Sequence, residues 1–278
     1  MEQLEHPLWI VDTVNAVFGP MVAGLLGLLG FDLDVTSGEH VIPNYLVIAT
    51  LIVLAVTVGC ALMRSRLSVE DPGPVQLLLE DGLTALYGLL EDTIGPKGPR
   101  YATLIGSVGL FILLSNLAGL VPGLMAPTSN INVTLGCAIT VWVYYHFQGF
   151  KEQGVVAYIK HFAAPPGAPI WIAPIYFPIE IISHFSRVLS LSVRLFGNVF
   201  GEELVILILF SIVPFLVPLP MMMLGIITGS LQAFIFVMLT MIYLQGAVTV
   251  DHEHDDAHDD GHAHGEEGHD GQAAAVAA

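Results

Sequence analysis

From Pro178 to Ile212 the chain runs thirty-five residues with nothing to break a helix except single glycines at 197 and 201. As one helix it would be about 52 Å long at 1.5 Å per residue, half as long again as the ~30 Å hydrocarbon core of a bilayer. The stretch is apolar almost throughout, so it must tilt steeply, lie nearly flat in a membrane, or break. Pro214, Pro218 and Pro220 supply a turn, and Met221 to Val250 adds thirty residues without a charge. Two overlong helices in a hairpin predict a slanted wall packed against another protein, because lipid alone does not favour that pose.

The rest of the chain fits the same setting. Of 278 residues, 54% are hydrophobic and 12% charged, about half the charge of a soluble domain; the mean hydropathy is +0.74. Asn44 to Met63 is free of charge and long enough to cross about 30 Å of hydrocarbon, and Arg64 and Arg66 close it. Pro74 to Gly95 sets Leu79, Leu83, Leu86 and Leu90 at helical spacing and repeats the acid pairs Glu80-Asp81 and Glu91-Asp92. That is the pattern of an amphipathic helix on the membrane surface. A second span covers Ala102 to Pro122, after Lys97 and Arg100. A polar turn, Pro127 to Asn132, leads to a third span at Val133 to Phe150, closed by Lys151. A loop with Lys160 and the Pro165 to Pro169 stretch follows. The first apolar stretch, Ala16 to Phe31, is short and broken by Pro20 and four glycines, which reads as an interfacial or outside helix.

Six of the eight basic residues flank the same ends of the three spans. The positive-inside rule assigns those ends to the cytoplasm. The N-terminus and the 123–132 loop are then outside, and two further crossings return the C-terminus to the cytoplasm. The expected fold is an all-α integral membrane protein with about five membrane-embedded helices, the last two long, steeply tilted and forming a hairpin, plus an amphipathic surface helix. Its expected parts are an N-terminal outside or interfacial segment at 1–42, a membrane domain at 43–250 with the cytoplasmic helix 74–95 and the tilted hairpin 172–250, and a tail at 251–278. Met1 to His6 carries no basic residue, so the n-region of a secretory signal is missing there.

The formal charge of −17 argues against nucleic acid as a partner and against docking on anionic lipid through a basic patch. Nine acids and six histidines lie between Asp251 and Asp270, the composition of a solvated, disordered tail; a metal site built from those histidines is the lesser reading. Cys60 and Cys137 fall in predicted spans and read as small hydrophobes rather than a disulfide pair. No metal centre or cofactor is expected in the membrane domain.

Arg194 sits in the middle of the longest apolar stretch. A guanidinium stays protonated at any cellular pH, and holding one at membrane depth costs at least about 2.5 kcal/mol. Such a residue faces a bundle interior or wet cavity and marks an ion pathway. On a helical wheel centred on Arg194, Arg187 falls about 20° away, Asn198 and Glu180 about 40°, His184 and Glu202 about 80°, and Glu203 about 180°. Glu180 lies roughly 21 Å along the axis on one side of the arginine and Glu203 roughly 13 Å on the other. A fixed cation between two acids that need not face the same water suits a device in which protons enter by one path and leave by another. It would block a direct leak, attract a carboxylate carried past by a partner, and lower that carboxylate's proton affinity on arrival. Lysine, which can lose its proton when buried, would serve less well. His184 reads equally as a relay or a structural histidine. Asn116, Asn198, Ser230 and Gln232, taken singly, read as interhelical hydrogen-bond glue, and Arg187 divides evenly between a structural and a pathway role.

Two segments carry a family likeness. Leu189-Ser190-Leu191-Ser192-Val193-Arg194-Leu195-Phe196-Gly197-Asn198 and Leu231-Gln232-Ala233-Phe234-Ile235-Phe236-Val237-Met238-Leu239-Thr240 closely resemble the a-subunit of the membrane sector of F-type ATP synthase in its bacterial form. Ser115 to Gly123 and Pro127 to Asn132 are similar to it too. The resemblance implies a proton-translocating stator in a bacterial inner membrane that is not an enzyme by itself. Its implied partners are a rotating ring of carboxylate-bearing c-subunits, the b-subunit peripheral stalk, the other ATP synthase subunits and membrane lipid. It implies that Arg194 is the family's essential arginine and that Asn198 and Gln232 are polar residues beside it. Glu203 would be the acid of the outside-facing half-channel, and Glu180 an acid of the cytoplasmic one. Three positions depart from some members: Gly225 where a histidine can stand, Glu202 where glycine can, and Gly119 where aspartate can.

A stand-alone channel or secondary transporter is the alternative, but the internal repeats that favour a transporter are absent. An intramembrane protease would need a His partner for Ser230 or a His-Glu-x-x-His span, and the sequence has neither.

Overall fold

The computed structural model describes residues 9–28, 41–65, 67–121, 124–158, 173–212 and 218–248. The acidic tail expected at 251–278, the Pro165–Pro169 loop and the turn at Pro214 lie outside them. Among the described residues every regular element is helical: α1 (Trp9–Leu28), α2 (Asn44–Arg64), α3 (Pro74–Ile94), α4 (Ala102–Ala118), α5 (Ile131–Gln153), α6 (Ala173–Ile212) and α7 (Pro218–Val248). Short 3₁₀ turns precede α4 at Gly98–Tyr101 and α5 at Pro127–Ser129.

Local chemistry sets most boundaries. Pro74 sits in the first turn of α3, where its missing N–H is no loss. Gly95 ends that helix at φ 92°, a left-handed backbone that favours glycine. Asn130 caps α5, its side chain accepting the Asn132 N–H at 3.0 Å. α1 begins earlier than its apolar run suggests and continues through Pro20. Its apolar part, Ile10–Gly24, is too short to cross a bilayer. Asn15 ties it to the start of α2 by exchanging two hydrogen bonds with the backbone of Ile42, at 3.0 and 2.8 Å.

Among the described residues four helical stretches are long and apolar enough to cross a membrane: Asn44–Arg64, Gly98–Ala118, Ala173–Ile212 and Pro218–Val248. The expected third span, α5, has the length but not the composition, because Tyr144, Tyr145, His146 and Gln148 dilute it. Tyr145 is almost fully buried, so part of this polarity is turned inward against protein. α6 is 40 residues long, about 60 Å, and α7 is 31, about 46 Å. α6 exceeds the sequence expectation because it starts before Pro178 instead of at it. A proline so close to a helix start forfeits one hydrogen bond without ending the helix.

The core lies where α4, α5, α6 and α7 meet, around Ile105, Ile112, Tyr145, Leu195, Phe236 and Leu244. α3 joins it through its C-terminal half only: Leu90 and Ile94 are buried and Leu86 packs alongside, whereas Leu77, Leu78, Leu79 and Leu83 stay exposed. A helix lying on a membrane surface needs that division. Beyond α3, the 3₁₀ turn folds back so closely that a Cβ at Gly98 would overlap the Leu90 carbonyl. Lys97 and Arg100 then reach Glu152 at the end of α5, at 3.5 and 3.2 Å. That contact draws the basic residues at the start of α4 and the end of α5 to one side of the bundle.

Candidate functional site

Arg194 is exposed on α6. Its neighbours Leu191 and Leu195, about 60° and 100° round the helix from it, are buried and anchor the adjoining flank of the helix. Among the described residues it makes no ion pair and no hydrogen bond. Leu189 and Val193 beside it are exposed, and Cβ atoms at Gly197 and Gly201 would meet nothing within 4 Å. The cation thus stands on a smooth apolar strip that the described residues leave uncovered.

One turn further on, Asn198 Nδ2 donates to Gln232 Oε1 of α7 at 2.8 Å. Gln232 is buried, and its Nε2 has no hydrogen-bond partner among the described residues. The pair therefore clamps the two long helices together and keeps a donor in reserve close to the arginine.

The two adjacent acids part company, as the wheel predicts for consecutive helical residues. Glu203 turns toward α4 and the turn before α5: its Oε1 accepts the Ala126 N–H at 2.7 Å, in a turn that the Ser129 hydroxyl braces by donating to the Ala126 carbonyl at 2.8 Å. Gly119 lies against it, and a Cβ there would come 3.0 Å from Oε1 and 2.7 Å from Ala126 Cβ. Glu202 turns toward α7. Its Oε2 accepts the Thr228 hydroxyl at 3.0 Å, and its Oε1 is buried without a hydrogen-bond partner among the described residues. It rests on Gly225, where an added Cβ would overlap that oxygen. The departures at 119, 202 and 225 are thus spatially linked: each glycine makes room for one carboxylate.

Two cavities meet at these acids. A small one of about 10 Å³ has Glu202, Glu203, Asn116 and Gly119 in its wall and offers room for about one water. A wider one of about 310 Å³ between α6 and α7 is lined by Glu202, Asn198, Thr228 and Gln232. Glu202 belongs to both.

Asn116 is glue, as read from the sequence. Its Nδ2 donates to the Gly229 carbonyl of α7 at 3.0 Å, and its Oδ1 accepts from Thr128 Oγ1 at 2.7 Å. Ser230 is not glue: its hydroxyl donates to Ile226 O of its own helix at 2.6 Å, the usual resort of a mid-helix serine.

On the other side of Arg194, His184 Nε2 lies 3.2 Å from Glu180 Oε1, and its Nδ1 lies 2.7 Å from the Tyr145 hydroxyl. Arg187 is half-buried, with its guanidinium carbon 5.3 Å from the centre of the Tyr243 ring, a cation–π distance. Of the two arginines that share a wheel sector, α7 covers only Arg187. The sequence reading missed Tyr145, Thr128 and Thr228. For Tyr145 a signal existed: Tyr144-Tyr145-His146 is a polar triplet in an expected span. Thr128 and Thr228 gave none, since threonine is unremarkable in a turn or a helix.

The family described as ATP synthase A chain matches residues 44–245. Among curated relatives, ATP synthase subunit a 3 of Pelobacter propionicus is 39% identical over 89% of this chain and 99% of its own length. ATP synthase subunit a of Geotalea daltonii is 46% identical over 78% of this chain and 90% of its own. ATP synthase subunit a 1 of Pelobacter propionicus is 48% identical over 65% and 77%. With the helical membrane fold and such continuous similarity, the chain belongs to the ATP synthase A chain family, as a multi-pass subunit of the bacterial complex that works beside other ATP synthase subunits and is not an enzyme by itself.

Proposed function

We propose that the chain is the stator half of a rotary proton path. Two offset half-channels, one past Glu203 and Glu202 and one past Glu180 and His184, meet a ring of c-subunits, and Arg194 separates them. Protons from outside reach Glu203, cross the narrow cavity to Glu202, and pass through the wider cavity beside Asn198 and Gln232 to a ring carboxylate. The ring turns that neutral carboxyl through lipid and gives the proton up on the inner side. The b-subunit stalk holds the stator still. The outward orientation of the N-terminus and the cytoplasmic one of the C-terminus rest on the flanking basic residues, and the joint contact of Lys97 and Arg100 with Glu152 supports them. The segment at 1–42, the membrane domain at 43–250 and the tail at 251–278 are the units of this reading.

The observation that carries the proposal is the uncovered cation. A charge with no ion pair or hydrogen bond among the described residues, set among exposed apolar side chains and two glycines, wants a partner that brings a carboxylate and approaches closely. Cysteine placed at Gly197 should cross-link to a small membrane-embedded ring subunit in native membranes. Cross-linking only to lipid-exposed bystanders, or none with a ring cysteine at any depth, would remove the basis of the proposal.

Gly225 offers a second check. Alanine there drives its Cβ into Glu202 Oε1 and Leu120 Cδ2, which pushes the carboxylate off Thr228. Pumping should fall at least about tenfold, given that a 1 Å misplacement can cost a hundredfold, with complex yield unchanged. Normal pumping by Gly225→Ala would mean that the seat of Glu202 does not matter.

A further inference from the structure

Glu180, His184 and Tyr145 form a continuous hydrogen-bonded line across two helices. His184 Nε2 faces Glu180 Oε1 at 3.2 Å along α6, and His184 Nδ1 meets the Tyr145 hydroxyl of α5 at 2.7 Å. Histidine and tyrosine are both buried. The His146 ring lies 4.9 Å from that of His184 and bonds the Tyr158 hydroxyl at 2.7 Å, so the imidazole of His184 is walled in on the α5 side and has little freedom to flip.

The donors and acceptors decide the tautomer. An ionised carboxylate only accepts. With Glu180 ionised, the hydrogen must sit on Nε2, which leaves Nδ1 an acceptor; the tyrosine hydroxyl is then the donor that satisfies it. The opposite tautomer would set an Nε2 lone pair against the carboxylate and leave the Nδ1–H to the phenol oxygen. One hydroxyl on α5 thereby selects the form of histidine that holds an α6 carboxylate in place.

We propose that Tyr145 is a positioning residue of the inner proton path, acting through His184 to orient Glu180. This rests on the reading of Glu180 and His184 as lining that path. The role is specific to the hydroxyl: phenylalanine fills the same space beside Tyr243 and Val141 but donates nothing.

The test uses the full complex in inverted vesicles and has two readouts. In ATP-driven proton pumping, Tyr145→Phe should slow transport about two- to tenfold, the range one neutral hydrogen bond commands, at normal complex yield. The double variant Tyr145→Phe/His184→Gln should pump no more slowly than His184→Gln alone. Multiplying effects, or a Tyr145→Phe variant that pumps normally, overturns the inference. In ¹⁵N spectra of histidine-labelled complex, with His184 assigned by its loss in His184→Gln, wild type should show Nε2 protonated and Nδ1 bare. Tyr145→Phe should show a mixture. A wild-type His184 protonated on Nδ1 overturns the inference even where the variant fails to assemble. Glu180→Gln separates the two levels: if it pumps normally, the inner-path reading itself fails; if it is slow while Tyr145→Phe is normal, only the role of Tyr145 does.

Discussion

Arg194→Ala is expected to abolish ATP-driven proton pumping while leaving the complex assembled. Assembly should survive because Arg194 has no hydrogen bond or ion pair within its own chain among the described residues, and its removal opens no hole in the Leu191–Leu195 side of α6. Function should not survive. A unit charge about 4 Å from a ring carboxylate, at an effective dielectric near 20, is worth about 4 kcal/mol, which is roughly a thousandfold in the rate of a step that depends on it. Without that attraction an arriving carboxyl has no reason to shed its proton, and without the repulsion hydrated protons can pass from one half-channel to the other. Vesicles should therefore lose fluorescence quenching on ATP addition and gain passive proton leak through the membrane sector. Arg194→Lys should also lose most pumping, because a buried ammonium can discharge where a guanidinium cannot. Ordinary pumping by the alanine variant would dispose of the mechanism.

Glu203→Gln should slow proton flux more than Glu202→Gln. The two acids are neighbours, yet their surroundings differ. Glu203 borders a cavity of about 10 Å³, which admits about one water. A proton passing there has no way round the carboxylate. Glu202 opens into about 310 Å³, where a chain of waters can carry a proton past a neutral amide. Glutamine at 203 keeps an oxygen for the Ala126 N–H, so the turn before α5 should hold its place and the loss should be one of titration alone. A drop of at least about a hundredfold is expected at 203, the scale of a lost proton-transfer group, and a smaller one at 202. Stopped-flow measurement of proton uptake in reconstituted vesicles decides it; equal losses, or a larger loss at 202, would reverse the assignment.

How much of this was legible beforehand depended on which residues carried the signal. Long charge-free runs announce spans because lipid admits little else, so α2, α4, α6 and α7 could be read directly. α5 was read as a span from its length, but the polarity of Tyr144 to Gln148 makes sense only once α6 and the Tyr158 turn are packed against it. Pro178 misled in the other direction, since local propensity stops a helix that tertiary packing continues. Arg194 was legible because a cation in the middle of an apolar stretch is costly wherever it points. The division of labour between Glu202 and Glu203 was half legible. Their opposite wheel positions follow from helix geometry, but what each one meets depends on Gly119, Ala126 and Gly225, which lie far along the chain and carry no chemistry of their own. The Tyr145–His184 contact joins residues 39 apart, a distance over which sequence pattern gives no register.

Asn116 binds the Gly229 carbonyl 113 residues downstream. A ribosome making roughly 5 to 20 residues per second needs about 6 to 23 s to cover that interval. For that time the Nδ2 of Asn116 on α4 lacks its Gly229 acceptor, and the nascent chain is a half-finished bundle waiting for its last helix. The α4–α7 contact therefore closes only late in translation, and a product truncated before Gly229 lacks the Asn116 bond altogether.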